Sequence, residues 1–159
     1  MVDRQRIIGC ILLVGIVFIT VFILSNSLNN YEASHNSSDN ITDIIISDNN
    51  PNSEYISILV RKIAHIVEFS ALGFFTIAFI IHFHKCFRKP AFGYALFYVL
   101  TVAVTDEHIQ SFTDRTSSTS DIILDFCGAL IGFLLGWLLS KLYQKIKCHY
   151  KKKNGIGVD

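Results

Sequence analysis

Residues 122–140 read IILDFCGALIGFLLGWLLS, an apolar run of about the length a helix needs to cross a hydrocarbon core. Gly128, Gly132 and Gly136 recur at every fourth position. On a helix they form one stripe and let a neighbouring helix approach closely. Asp121 and Asp125 lie on the same stripe, which predicts that both carboxylates point into a bundle and away from lipid. A basic tail follows, with Lys141, Lys145, Lys147, Lys151, Lys152 and Lys153.

Three further apolar runs precede this one, at about 7–24, 63–83 and 91–105. The chain of 159 residues has room for one domain, 51% of it is hydrophobic, and neither of its two prolines interrupts a run. Its mean hydropathy is +0.43. The pattern predicts an all-α polytopic membrane protein, with four transmembrane helices in an antiparallel up-and-down bundle joined by short connections. The exception is the connection at 25–54, rich in Asn, Ser and Asp, which reads as a flexible external loop resting Ile44–Ile46 on the headgroups. The first run is longer than a signal-peptide core and no small-residue cleavage site follows it at once, so it reads as a retained anchor.

Charge sets the direction. Arg4, Arg6, Lys85, Arg88, Lys89 and the lysines of the tail at 141–159 fall on one side, which the positive-inside rule makes cytoplasmic. Only Arg61, Lys62 and Arg115 of the 14 Lys and Arg fall on the other side, together with every acid except Asp3 and Asp159. Both termini are then cytoplasmic. The basic tail serves as a topogenic and lipid-headgroup anchor, and no charge run points to nucleic acid. Cys10, Cys86, Cys127 and Cys148 show no C-x-x-C spacing and imply neither zinc nor a disulfide.

Two polar blocks fall on the outer side: Arg61-Lys62-x-x-His65-x-x-Glu68, and Asp106-Glu107-x-x-Gln110-x-x-x-Asp114-Arg115 followed by Asp121 and Asp125. Ionisable groups are costly at membrane depth and are by default candidates for function. The run 91–105 would rise only about 22 Å as a helix, against a core of roughly 30 Å. Either local thinning or an oblique arrangement absorbs the shortfall, or the helix continues to 110 and carries Asp106, Glu107 and Gln110 into the outer leaflet. Arg61, His65 and Glu68 fall within roughly 60° of one another on a helix. The sum is an outward polar pocket lined by spans two, three and four.

His65 and Glu68 suit a general base with its orienting carboxylate, or two metal ligands; the plainer reading is a hydrogen bond between helices. Asp106, Glu107 and Gln110 offer metal-ligating oxygens or a proton acceptor, and acids at a helix C-terminus oppose the macrodipole, which weakens the plain reading. Arg61 and Arg115 suit an anionic headgroup or phosphate, whereas Lys62 reads as a snorkelling anchor. Ser118 and Asp121 fit an Asp variant of the capping box. Asp125 is deeper and needs a partner. His65, Glu68, Asp106, Glu107 and Gln110 are therefore the catalytic candidates, and Arg61, Arg115, Asp121 and Asp125 the substrate-binding candidates. No P-loop, dinucleotide fingerprint, serine elbow or zinc-protease helix is present, so the sequence leaves any cofactor unknown. The residue types permit magnesium, calcium or zinc, and the sequence assigns none.

These blocks resemble the VanZ-like family. The resemblance lies in Arg61-Lys62-Ile63-Ala64-His65-Ile66-Val67-Glu68-Phe69 with Leu72-Gly73, in Asp106-Glu107-His108-Ile109-Gln110-Ser111-Phe112, and in Arg115, the Ser/Thr run to Asp121 and Gly128-Ala129-Leu130-Ile131-Gly132. It covers most of the chain from the second span onward. Two departures add acid: the family pattern often has Asn where Asp125 stands, and Gly where Asp114 stands. The resemblance implies a small multi-pass protein of a bacterial plasma membrane which, in some members, lowers susceptibility to teicoplanin-type glycopeptides or lipoglycopeptides. It implies no known reaction. Three functions remain open: action on a lipid-linked or glycan envelope component, by binding or as a hydrolase or transferase; proton or cation transport; and a non-catalytic role packed against an envelope enzyme or another copy of the chain.

Overall fold

The computed structural model describes residues 2–28, 53–83, 90–112 and 118–153. They form four helices and, among the described residues, no strand: α1 (Val2–Ser27), α2 (Ser53–His82), α3 (Pro90–Gln110) and α4 (Thr119–Lys153). Arg115, Asp114, Cys86, the Lys85-Arg88-Lys89 group and most of the 25–54 connection lie outside the described residues.

Three of the helices are long and apolar enough to cross a membrane, over Arg4–Ser27, Ile58–His82 and Thr119–Tyr150. α3 is not one of them, because Asp106 and Glu107 fall within its 21 residues. It opens on Pro90, where a missing N–H costs nothing, and continues to Gln110, so both acids stand on the helix itself. Ser118 caps α4: its Oγ accepts a hydrogen bond from Ser120 N at 3.3 Å. The expected reciprocal half of a capping box does not form, because the Asp121 carboxylate turns instead to Lys62 Nζ, 3.2 Å away.

Contacts between helices fix their directions. Gln5 O meets His82 Nε2 at 2.9 Å at one end of the α1–α2 pair, and Asn26 donates to Glu68 at 3.0 Å at the other. Thr20 meets Tyr98 Oη at 2.7 Å, and Ser27 meets Asp106 further along both helices. α1 and α3 therefore run one way, and α2 and α4 the other. The start of α1 and the lysine-rich end of α4 share one end of the bundle.

The broadest packing is between the parallel pair α2 and α4, and small residues make it. A Cβ on Gly128 would stand 2.9 Å from the Ile66 carbonyl oxygen, and one on Gly132 would stand 2.8 Å from the Phe74 nitrogen and closer still to the Ser70 carbonyl oxygen. Gly73 of α2 reciprocates against the backbone of Ala129. Backbone thus lies on backbone, the arrangement that packs helices where burial of apolar surface gives no drive. Ser70 Oγ adds a 2.8 Å hydrogen bond to the Gly128 carbonyl.

Phe69, Leu72, Val99, Ala103, Ala129 and Phe133 are buried at the centre. Outward-facing side chains are large and apolar, with Phe18 69% and Phe97 70% exposed; such surface is at ease in hydrocarbon and a liability in water. Cys127 is also on the outside of the bundle. Thr76, Thr101, Thr105 and Ser140 each donate a 2.8 Å hydrogen bond to a carbonyl one turn back, which satisfies their hydroxyls without water.

Candidate functional site

At the end of the bundle opposite the lysine-rich terminus, each helix contributes polar side chains to one cluster. Asp106 of α3 is its centre and is fully buried. Ser27 of α1 donates to Asp106 Oδ1. Gln110, one turn further along α3, donates to Oδ2 at 2.8 Å. His65 Nδ1 of α2 stands 3.7 Å from the same Oδ2 and also 3.7 Å from Oδ1 of Asp125 on α4. One imidazole therefore lies between two buried carboxylates from two other helices.

The neighbours hold this geometry in place. Glu68 accepts from Asn26, which ties α2 to α1. Glu107 accepts a hydrogen bond from the backbone N–H of Ser118, which ties the end of α3 to the start of α4. Lys62 and Asp121 form an ion pair at 3.2 Å. A cleft opens among them, lined by Arg61, Lys62, His65, Glu107, Gln110, Asp121, Leu124 and Asp125. Side-chain exposure falls from 44% at Lys62 and 30% at Asp121 to 17% at His65, 2% at Asp125 and zero at Asp106. The Lys62–Asp121 pair thus sits at the mouth, and Asp125 and Asp106 lie deepest.

Burial sharpens the electrostatics. Desolvated charges need partners of opposite sign close by. Among the described residues, Asp106 and Asp125 face one imidazole, which carries at most one positive charge. Oδ1 of Asp125 is buried and accepts no hydrogen bond among the described residues, although its residue is only 1% exposed. His65, Asp106 and Asp125 each present one ligand-type atom, all within 4.8 Å of one another. Chemically, the floor can hold a base flanked by two carboxylates or ligate a cation.

Of the residues singled out from sequence, the structure gathers Arg61, His65, Glu68, Asp106, Glu107, Gln110, Asp121 and Asp125 at this end. Arg115 lies outside the described residues. The cleft is lined by α2, α3 and α4, as expected; what the expectation lacked is α1, which continues past its apolar run to Ser27 and adds Asn26 and Ser27 to the polar cluster through Glu68 and Asp106. A signal for this existed. Ile16, Thr20, Ile23 and Ser27 follow the spacing of one helical face. That face turns inward, with Thr20 reaching Tyr98 and Ser27 reaching Asp106.

A family model described as VanZ/LLP1 matches residues 9–140. Neither a curated protein nor a solved structure matches the chain. The matched stretch begins in the first turns of α1 and ends where the lysines of α4 begin, and every candidate residue named above falls inside it. The chain belongs to the VanZ/LLP1 family.

Proposed function

We propose that this is a plasma-membrane protein that crosses four times with both termini in the cytoplasm. Its cleft faces outward and receives a lipid-linked or anionic component of the cell envelope. The observation that carries this reading is the sorting of charge along the bundle. The buried acids and His65 occupy one end, while Arg4, Arg6 and the α4 lysines belong to the other, the end that positive charge keeps in the cytoplasm. Arg61 and Lys62 at the mouth suit an anionic headgroup or phosphate. In hydrocarbon α3 crosses as the fourth span, its acids satisfied from the other helices. Lipid covers the outward apolar faces, unless a second copy or a partner helix does.

Family membership favours a role in lowering susceptibility to teicoplanin-type glycopeptides or lipoglycopeptides. Chemistry at the cleft, as a hydrolase or transferase, is a narrower form of the same reading, with His65 as base and Glu68, Asp106, Glu107 and Gln110 around it. Transport draws less support: below the cluster the described interior holds the hydroxyls of Thr20, Tyr98 and Thr76 and no acid. The test is a deletion strain assayed against teicoplanin and a lipoglycopeptide and complemented with wild type, Glu68→Gln or Asp106→Asn. Wild type should restore the resistant phenotype and the two variants should not. Full complementation by both variants would remove the cluster from the function.

A further inference from the structure

We propose that His65, Asp106 and Asp125 bind one divalent transition-metal cation of the zinc type at the floor of the cleft. Each residue comes from a different helix, and their ligand atoms already lie within 4.8 Å of one another, with both His–Asp separations at 3.7 Å. Ligands about 2.0–2.2 Å from a tetrahedral zinc stand roughly 3.4 Å apart. Two edges of the triangle therefore need only a few tenths of an ångström, and rotation of the Asp125 side chain closes the third.

Asp125 supplies the independent sign of a ligand. Its Oδ1 is buried, faces His65 and receives no hydrogen bond among the described residues. A buried carboxylate oxygen left in that state is costly. A divalent cation would satisfy it and balance the charge of both carboxylates at once. Among the described residues, Lys62 is held by Asp121.

The ligand set narrows the ion. Magnesium and calcium favour all-oxygen shells, whereas an imidazole nitrogen beside two carboxylates suits zinc and its first-row neighbours. Asp106 is also oriented as a ligand should be, held by Ser27 and Gln110. Three protein ligands leave at least one position facing a cavity of about 20 Å³, room for a water or one substrate atom. The ion deepens the reading of the cleft given above, and rests on that reading only for the side from which it enters.

Metal binding to the purified, tag-free full chain in detergent decides the matter. After stripping with a chelator, Zn2+ should be retained through gel filtration at about one per chain, as a three-ligand site with an open position requires. Co2+ should give visible absorption bands that Zn2+ abolishes. Loss of a group that merely orients a ligand costs 10- to 100-fold in affinity, so Asp125→Asn and His65→Asn should each lose more than about 100-fold. His149→Asn, at the far end of α4, should bind as wild type does. Circular dichroism and gel filtration establish that each variant folds; where one does not, the other carries the comparison. Wild-type binding below about 0.1 zinc per chain, or folded variants that bind as wild type does, would overturn the site. Either failure leaves the envelope reading standing, while zinc binding without a susceptibility phenotype would sink that reading and keep the site.

Discussion

Replacing Gly132 with alanine tests the packing that positions the cluster. The added Cβ would stand 2.8 Å from the Phe74 nitrogen and closer still to the Ser70 carbonyl oxygen. Both are backbone atoms of a helix, so no side chain can swing aside. To reach an ordinary contact, α2 and α4 must separate by more than half an ångström, and the neighbouring approaches at Gly128 and Gly73 open with them. Overpacking of this kind costs about 1–3 kcal/mol, and unyielding backbone puts Gly132→Ala at the upper end. Part is returned, because alanine exceeds glycine in helix propensity by up to ~1 kcal/mol. The expected net is a loss of about 2 kcal/mol, or roughly 4–8 °C in the melting temperature of a chain this size. Gly93→Ala is the matched control: nothing lies within 4 Å of a Cβ there, so propensity acts alone and the protein should melt at the same temperature or slightly higher. Thermal unfolding of the two variants beside wild type, in one detergent, gives the comparison. Equal melting of Gly132→Ala and Gly93→Ala would refute the close α2–α4 contact, and with it the placement of His65 against Asp125.

Other side chains give graded outcomes. Ser27→Ala removes a donor from a fully buried carboxylate and should cost about 1–3 kcal/mol; Thr20→Ala, which breaks a neutral contact to Tyr98, should cost about 1 kcal/mol. Melting curves of both variants check the order, and a smaller loss for Ser27→Ala would deny Asp106 its central role. Lys62→Ala breaks an ion pair whose members are 44% and 30% exposed, so its stability cost should stay under about 1 kcal/mol and vanish in high salt. A larger, salt-insensitive loss would mean the pair is more buried than its geometry shows. Gly15→Ala meets the Phe75 ring and no backbone; since a ring can turn, it should melt above Gly132→Ala and below Gly93→Ala.

What the sequence disclosed followed from helical spacing. Gly128, Gly132 and Gly136 define a face wherever their partner lies, and Asp125 shares that face, so its inward direction was readable in advance. The partner was not readable: antiparallel neighbours in the chain are the natural expectation, whereas the stripe meets α2, which runs parallel to α4. Hydropathy alone ended the first run at Leu24 and so left out Ser25-Asn26-Ser27, a polar yet helical stretch in which Asn26 reaches Glu68 and the buried Ser27 reaches Asp106. Asn26 and Ser27 each found a partner on another helix, which offsets their polarity and is information no single segment contains. The same limit applies to His65. Spacing placed it near Glu68 on its own helix, and only the assembled bundle brings Asp106 and Asp125 to its Nδ1.

The proposed function depends above all on the cleft facing out of the cell. Cys148 sits near the end of α4, and Ser120 stands exposed beside the mouth of the cleft. In intact cells a membrane-impermeant thiol reagent should leave Cys148 unlabelled until the membrane is permeabilised, and should label a Ser120→Cys variant at once. Labelling of Cys148 in intact cells, with Ser120→Cys protected, would reverse the orientation and contradict the proposed function.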